Sequence, residues 1–433
     1  MEREPRLRID PAQGRRNPLL LAILSVIVGS FSGLLGAAFR IGLQRADDLR
    51  NSIAQRAHGF GFVGFLLLLG GSALAAGLAA WMVARFSPQS SGSGIPQIEN
   101  ELKKDWSGDP AHIATVKFFG GILAMGSGLA LGREGPTVHI GARVGHLIGK
   151  IFRCNENESR VLLAAGAGAG LATAFNAPIA GAVFVLEELV GAFDLDVTIA
   201  TIGASAAAIC FARVFLGQAP DFHIEPLDFP GFGSTPAYVV FGILLGFLGV
   251  LYNRALLSVL ALTAKLGKIG VEWRAAVIGA AIGSITWFLL GLVGGGDNIT
   301  QQTLTGNAVF ATLAAAFLLC VAIGPLSYAA RTPGGLFAPL LTLGSQSGLL
   351  FGILWCRWFN PSGLLPREFA LVGIAAFFCA VVRAPITGII LIVELTGSSN
   401  YFLAMLGATF AAVTVTTLLK DPPIYDSLRE RWG

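Results

Sequence analysis

The sequence has few charged residues for its length. Asp, Glu, Lys and Arg make up 13% of its 433 residues, whereas an average soluble domain has roughly 25%. Hydrophobic residues make up 54%, and the mean hydropathy is +0.69. A soluble protein with this composition could not cover its surface with polar side chains, so we expect most of the chain to lie in a lipid bilayer.

A strong excess of one charge is absent as well. The chain has 30 basic residues against 26 acidic ones, and a net charge of +4 is not the signature of a nucleic-acid-binding protein. The basic residues lie mostly at the chain ends and in short segments. This placement suits contact with the cytoplasmic leaflet of a membrane.

The motifs of many catalytic and metal-binding proteins are also missing. The five cysteines are widely spaced with no C-x-x-C pair, and the five histidines form no ligand cluster. The sequence contains no G-x-x-x-x-G-K-[ST], no H-E-x-x-H and no G-x-S-x-G. We therefore expect no metal site, no cofactor, no ATP-driven transport and no enzyme activity.

What the sequence does contain is a series of uncharged segments. Residues 1–17 are polar with five arginines, and we expect them to be cytoplasmic. Residues 18–39 carry no charge, and this run is longer than a signal-peptide core, so it predicts a first membrane helix. Further uncharged runs are long enough to span a bilayer, whereas 118–132 and 369–382 are too short. The long runs are 60–84, 161–186, 229–253, 275–296, 298–330, 332–356 and 395–419. The mixture predicts an all-α polytopic membrane protein with tilted and broken helices.

The sequence also repeats itself at long range. Two blocks recur in the same order: Gly132, Pro136, Gly141 and Gly145 return 203 residues later as Gly335, Pro339, Gly344 and Gly348, and the segment 176–181 with Glu187 returns 207 residues later as 383–388 with Glu394. We therefore predict one transmembrane domain, 18–433, built from repeats at about 18–220 and 230–420 and a terminal helix at 421–433. The repeat alone does not give the relative orientation of the halves, although transporters commonly use inverted pairs.

Three segments combine glycine and proline inside apolar sequence. They are Gly92–Pro96, Gly132–Pro136 and Gly334–Pro339. Glycine permits a sharp break and proline suits the start of a helix, so each segment predicts a helix N-terminus within the membrane. Several such N-termini directed at one point would bind an anion with N–H groups and helix dipoles. Ordinary loop turns are the alternative interpretation.

Glu134 is the most informative single residue. A carboxylate on a helix N-terminal turn is costly in lipid unless it has a function. Ionised, Glu134 would occupy the anion site as a tethered anion, and protonated it could swing away to admit a diffusing anion. Arg133 precedes it as a supporting residue. The alternative is a simple helix cap.

Other polar residues lie in or beside apolar runs. Glu187 and Glu188 follow the run 161–186, and because neighbours on a helix point about 100° apart, one could face the interior as a proton relay. A helix end emerging into water is the alternative. Ser93 offers a hydroxyl donor between two glycines. Lys117 could offset buried carboxylates or extend to the membrane surface, and Tyr425 alone would be an interfacial aromatic residue.

These motifs resemble the CLC family of chloride channels and proton/chloride antiporters. The family's three signatures are matched by GSGIP at 92–96, GREGP at 132–136 and Gly-Leu-Phe-Ala-Pro at 335–339. The resemblance extends from Ser93 to Tyr425 in the family's order. It implies a homodimer in which each subunit has its own anion pathway, built from two inverted halves, in the inner (plasma) membrane with both termini cytoplasmic. The cytoplasmic CBS pair of other members is not expected here.

The resemblance also implies roles for individual residues. Glu134 corresponds to the gating glutamate and Glu188 to the intracellular proton glutamate of antiporters. Glu187 and Lys117 match positions seen in bacterial antiporters. Chloride would be bound by the Ser93 and Tyr425 hydroxyls and the backbone N–H groups of Leu336 and Phe337.

The leading hypothesis is a secondary active antiporter that exchanges chloride for protons. Its closest rival is a passive, gated chloride channel on the same fold, and Glu188 favours the antiporter. Ser93 in place of proline favours chloride over nitrate, and Tyr425 with the standard signatures argues against fluoride export. A membrane enzyme or a non-transporting receptor is a rival of another class. The missing catalytic motifs argue against an enzyme, and carboxylates inside apolar sequence argue against a receptor.

Overall fold

The computed structural model describes residues 18–103, 108–225, 231–267, 269–306, 308–359 and 364–432. Within these ranges the regular structure is helical, with two isolated β-bridges and no strand. The predicted cytoplasmic segment 1–17 lies outside the described residues.

Eight helices form the described part of the first half. They are α1 (Pro18–His58), α2 (Gly61–Phe86), α3 (Ile95–Lys103), α4 (Pro110–Gly126), α5 (Glu134–Ile151), α6 (Glu156–Phe175), α7 (Pro178–Phe184) and α8 (Leu195–Leu216). One turn of π-helix, Val185–Val190, continues α7.

Nine helices form the rest of the described chain. They are α9 (Thr235–Lys265), α10 (Val271–Phe288), α11 (Asp297–Thr305), α12 (Phe310–Tyr328), α13 (Phe337–Phe359), α14 (Pro366–Val382), α15 (Pro385–Thr396), α16 (Phe402–Leu418) and α17 (Ile424–Trp432). The last helix begins at Ile424, after Pro422 and Pro423, and not at the expected 421.

The helices of the two halves correspond in order. Helices α1–α8 match α9–α16, and the third member of each half, α3 or α11, is a nine-residue helix. Repeat counterparts meet directly: Gly132 and Gly335, 203 residues apart, form an antiparallel backbone bridge. A self-complementary contact between equivalent residues is what a two-fold relation produces. The predicted pair of inverted repeats is therefore confirmed.

Each half also supplies a carboxylate that caps a helix of the other half. Glu187, at the end of the first repeat's α7 segment, accepts the N–H of Thr387 in α15 at 2.7 Å. Its counterpart Glu394, in α15, accepts the N–H of Ala180 in α7 at 2.7 Å. Each carboxylate thus satisfies the free N–H groups at the start of the opposite helix.

Small residues let the helices of each half approach closely. A Cβ added to Gly141 of α5 would lie 2.1 Å from the backbone oxygen of Gly166 in α6. The equivalent pair in the second half, Gly344 of α13 and Gly373 of α14, gives 2.6 Å. The glycine-rich run 166–170 therefore serves helix packing, because glycine allows such backbone contact in membranes.

Among the described residues, six helices are long and apolar enough to cross a membrane: α1, α2, α8, α9, α12 and α13. The helix boundaries depart from the uncharged runs in several places, of which three are informative. Helix α1 continues past residue 39 to His58 and includes charged residues that line a cavity described below. The run 161–186 is broken at Asn176, which has a left-handed conformation, and the run 298–330 is broken at Gly306. Both breaks agree with the expectation of broken helices.

Candidate ion-binding site

Each of the three Gly-Pro segments begins a helix. Helix α3 starts at Ile95, α5 at Glu134 and α13 at Phe337. All three starting residues are fully buried, which places the helix N-termini inside the protein. This is the arrangement of dipole ends that the sequence motifs predict.

Backbone hydrogen bonds join the loops that precede these helices. Gly92 donates its N–H to Thr332 at 3.1 Å and accepts that of Gly334 at 3.0 Å. Gly132 and Gly335 exchange two bonds of 2.9 and 2.8 Å. The loop before α13 is therefore held between the loops before α3 and α5, and the three N-termini form one rigid unit.

The Glu134 carboxylate lies between these loops. Its side chain is fully buried, and Oε1 accepts the backbone N–H of Phe337 at 2.8 Å. A Cβ added to Gly132 or Gly335 would lie 2.1–2.2 Å from its oxygens, so only glycine leaves room for it. Oε2 is buried with no hydrogen-bond partner among the described residues. The Glu134 carboxyl group thus occupies the start of α13, on an N–H that the family resemblance implies for chloride binding.

Ser93 is fully buried in the loop before α3. Its Oγ accepts the N–H of Ile95 at 3.3 Å, which leaves its own hydroxyl hydrogen to be donated. Its backbone N–H points to the hydroxyl oxygen of Tyr328, 3.4 Å away at the end of α12. Both flanking glycines have positive φ, +64° at Gly92 and +91° at Gly94, a conformation that L side chains rarely adopt.

Aromatic rings surround the start of α13. The Phe337 ring packs against Phe378 at a centroid distance of 4.6 Å, Phe184 at 5.5 Å and Tyr425 at 6.3 Å. Leu336 is also fully buried. The packed ring fixes Phe337, so its backbone N–H keeps one direction.

Tyr425, in the first turn of α17, is fully buried, and its hydroxyl has no hydrogen-bond partner in the described part of the chain. An ion pair holds α17 against α3, because Arg429 contacts the buried carboxylate of Glu99 at 2.9 Å. The helix that carries Tyr425 is thereby fastened to the helix that follows Ser93. The two hydroxyls expected to bind chloride belong to elements that pack together.

The adjacent glutamates Glu187 and Glu188 have different environments. Glu187 is half-buried and caps α15, whereas Glu188 is fully buried. Both lie in the π-helical turn, a local irregularity that is frequent at functional sites. The two side chains therefore point into different surroundings, as expected for neighbours on a helix.

Lys117 does not extend to the membrane surface. It is fully buried in α4, and its Nζ donates to the backbone oxygen of Gly92 at 2.6 Å. The acceptor of this bond is a backbone carbonyl oxygen, so the bond does not support the suggestion that Lys117 offsets a buried carboxylate. Lys117 instead supports the loop that holds Ser93.

Arg133 faces a cavity of about 690 Å³ next to the Glu134 loop. It binds Asp221 at 2.6 Å and Asp297 at 2.9 Å, and Asp221 also binds Arg40 of α1 at 2.9 Å. Gly132 lines the same cavity, so the space reaches the loop beside the buried carboxylate.

Several residues of this region were missed by sequence reasoning. Tyr328 ends an uncharged run with no motif around it, and Arg429 lies 330 residues from its partner Glu99. The one available signal was Glu99 itself, a carboxylate six residues after Ser93.

Comparison with known proteins agrees with this geometry. A family model described as voltage gated chloride channel matches residues 73–417. The chain belongs to this family, the CLC proteins. The H(+)/Cl(-) exchange transporter ClcA of Vibrio cholerae serotype O1 (strain M66-2) is 35% identical over 423 residues, which are 96% of this chain and 90% of the relative. The protein of the same name from Yersinia pestis bv. Antiqua (strain Angola) is 33% identical over 425 residues, which are 96% of this chain and 88% of the relative.

A solved CLC structure has the same fold. The crystal structure described as a slow cyanobacterial Cl-/H+ antiporter superimposes with a TM-score of 0.92 at 31% identity, covering 96% of this chain and 98% of its own. The resemblance to the CLC family and the all-α polytopic CLC fold are both confirmed.

Proposed function

We propose that this CLC protein is a secondary active antiporter that exchanges chloride for protons. The observation that carries the proposal is the Glu134 carboxylate, buried at the start of α13 with its oxygen on the Phe337 N–H. A site that holds a carboxylate in this way can hold chloride in its place. Protonation removes the charge of the tethered anion, so proton uptake and chloride entry become linked steps.

In this proposal chloride is bound by two hydroxyls and two backbone N–H groups. The hydroxyls belong to Ser93 and Tyr425, and the N–H groups to Leu336 and Phe337. Dipolar donors support transport because an anion held without a full positive charge can leave again. The hydroxyl hydrogens of Ser93 and Tyr425 and the packed ring of Phe337 are consistent with these roles.

Glu188 is the proposed inner proton relay. A fully buried carboxylate in a membrane protein is costly and calls for a function. Glu187 has its oxygens engaged by α15, so we assign it a supporting role, together with Lys117 and Arg133. Protons and chloride would then follow separate inner routes that meet at Glu134.

The remaining features of the proposal rest on the family. We propose one transmembrane domain that acts as a homodimer in the inner (plasma) membrane, with lipid around it and both termini in the cytoplasm. Arginines in 1–17 and in the last turn of α17 support that orientation. Chloride is a substrate, and neither a cofactor nor enzyme activity is part of the mechanism. The names of the Vibrio and Yersinia relatives and of the cyanobacterial structure favour an antiporter over a passive channel.

The proposal is tested in vesicles reconstituted with the full chain. A chloride gradient should drive protons uphill, as measured by a pH electrode alongside a chloride electrode. Glu188→Gln should abolish proton movement and leave chloride flux, because glutamine has a similar size and cannot ionise. Glu272→Gln, in the first turn of α10, is the matched control and should couple normally.

Two results would contradict the proposal. Chloride flux without any proton movement in the unmodified protein would make it a passive channel. Uphill proton movement at the normal ratio in Glu188→Gln would place the proton relay elsewhere.

A further inference from the structure

A chain of three buried polar side chains lies next to the Ser93 loop. His139 and Arg143, one turn apart in α5, and Glu101 in α3 are all at least 95% buried. Arg143 Nη2 is 3.0 Å from His139 Nε2 and 2.5 Å from Glu101 Oε2. The chain therefore links the helix that starts at Glu134 to the helix that starts after Ser93.

Arg143 determines the protonation of the imidazole. A guanidinium only donates hydrogen bonds, so Nε2 of His139 must accept. The ring is then neutral and carries its proton on Nδ1. With Glu101 fixing the guanidinium on its other side, the His139 ring has one orientation.

The ring lies directly against Gly94. A Cβ on Gly94 would be 2.4 Å from His139 Nδ1 and 2.7 Å from Cγ, so the imidazole fills the space beside this residue. Gly94 has no side chain that would compete for this space, and its φ is +91°. A small change in the ring would therefore change the path of the backbone next to Ser93.

The other neighbour of Ser93 is held as well. Lys117 binds the Gly92 carbonyl, so supports lie on both sides of the residue. Burying the Arg143 guanidinium costs desolvation free energy, because its Nε and Nη1 are buried without a hydrogen-bond partner among the described residues. A purely structural contact could be made by apolar residues at lower cost, which favours a functional reason for it.

We propose that His139, oriented by Arg143 and Glu101, is a positioning residue that fixes the Ser93 hydroxyl and thereby sets the affinity and selectivity for the anion. The inference rests on the proposed function, because it needs Ser93 to bind the transported anion. His139 itself does not touch the ion. It acts through Gly94, as outer-shell partners act on metal ligands.

The test measures chloride binding by calorimetry on the detergent-solubilised full chain, and chloride/nitrate exchange in vesicles. His139→Ala removes the ring that supports Gly94. Outer-shell partners of metal ligands contribute 10–100-fold in affinity, and for a weakly held anion we expect about three- to tenfold weaker chloride binding with poorer discrimination against nitrate. His139→Gln, whose amide can accept from Arg143, should largely restore both. The ratio of protons to chloride should be unchanged in both variants, because Glu134 and Glu188 are intact.

Two further variants separate positioning from a long-range charge effect. Arg143→Gln removes a positive charge and Glu101→Gln removes a negative one, yet both loosen the chain. Positioning predicts weaker chloride binding in both, whereas a charge effect predicts opposite changes. His112→Gln, an exposed histidine in the first turn of α4 that lies 3.8 Å from Asp109, is the matched control.

Each outcome decides a different question. Unchanged affinity and selectivity in folded His139→Ala, or opposite changes in Arg143→Gln and Glu101→Gln, would overturn the inference. If His139→Ala does not fold, the Arg143→Gln and Glu101→Gln pair decides in its place. Failure of the unmodified protein to bind chloride would instead overturn the proposed function.

Discussion

The carboxylate of Glu187 offers a quantitative test of how the two repeats are joined. It accepts the N–H groups of Ile386 at 3.0 Å and Thr387 at 2.7 Å, and the Thr387 hydroxyl at 2.7 Å. The site is partly exposed, so we assign each bond about 1 kcal/mol, within the usual net range. Glu187→Ala should therefore lower the free energy of unfolding by about 3 kcal/mol.

The opposite carboxylate provides an internal comparison. Among the described residues Glu394 accepts two bonds, from Ile179 at 3.0 Å and Ala180 at 2.7 Å, because Ala180 replaces Thr387 and offers no hydroxyl. Glu394→Ala should cost about 2 kcal/mol. Both carboxylates lie at helix N-termini, so the dipole contribution is similar and cancels in the comparison.

Equilibrium unfolding in mixed detergent micelles measures both costs. The two losses in free energy of unfolding should differ by about 1 kcal/mol, and Thr387→Val alone should lower the free energy of unfolding by the same amount. A double-mutant cycle of Glu187→Ala with Thr387→Val should give a coupling energy of this size. Glu187→Gln retains an acceptor and should keep the normal proton-to-chloride ratio. An equal or larger cost for Glu394→Ala, or lost proton coupling in a stable Glu187→Gln, would refute this reasoning.

Three further predictions concern the ion site. Glu134→Ala should let chloride pass while proton movement disappears in the vesicle assay, and surviving chloride-driven proton pumping would contradict the gating role. Ser93→Pro should shift anion exchange towards nitrate, because it removes the hydroxyl donor, and an unchanged ratio would mean that Ser93 does not contact the ion. Gly335→Ala places a methyl group 2.2 Å from the Glu134 carboxylate, so proton-coupled chloride flux should fall at least about tenfold in a protein that still folds. Normal flux in that variant would show that the carboxylate does not need this position.

The local features of the fold could be predicted from the sequence where backbone chemistry decides them. Glycine and proline determine where helices can break and start, so the N-termini at Ile95, Glu134 and Phe337 follow from three short motifs. The repeat was visible because close helix packing requires glycine at equivalent positions. Charge alone was a poorer guide: α1 continues through charged residues up to His58, and four of them (Arg40, Asp47, Asp48 and Arg50) line a polar cavity.

The contacts of the site depend on tertiary structure and were less accessible. Lys117 could be read from its surroundings as a surface residue or as a buried cation, and only the fold brings its Nζ to the Gly92 carbonyl. Tyr328 approaches Ser93 across 235 residues of sequence. Ser93 lies in a recognisable motif, but no local pattern marks Tyr328 as its neighbour, because Tyr328 is unremarkable in its own helix.

The repeat also separates residues that build the fold from those that perform transport. Glu187 has an equivalent glutamate in Glu394, and both cap a helix of the opposite half. Glu188 has Leu395 at the equivalent position, and the π-helical turn around it has no counterpart in α15, which is a regular helix to Thr396. Glu134 is matched by Phe337 in the same way. The two-fold arrangement by itself would allow identical residues at equivalent positions. A buried carboxylate that is found in only one of two equivalent positions is therefore not explained by the fold alone. In the proposed mechanism proton transfer supplies that reason: both proposed carriers lie in the first repeat, while the second would contribute the N–H groups and the aromatic packing around the anion.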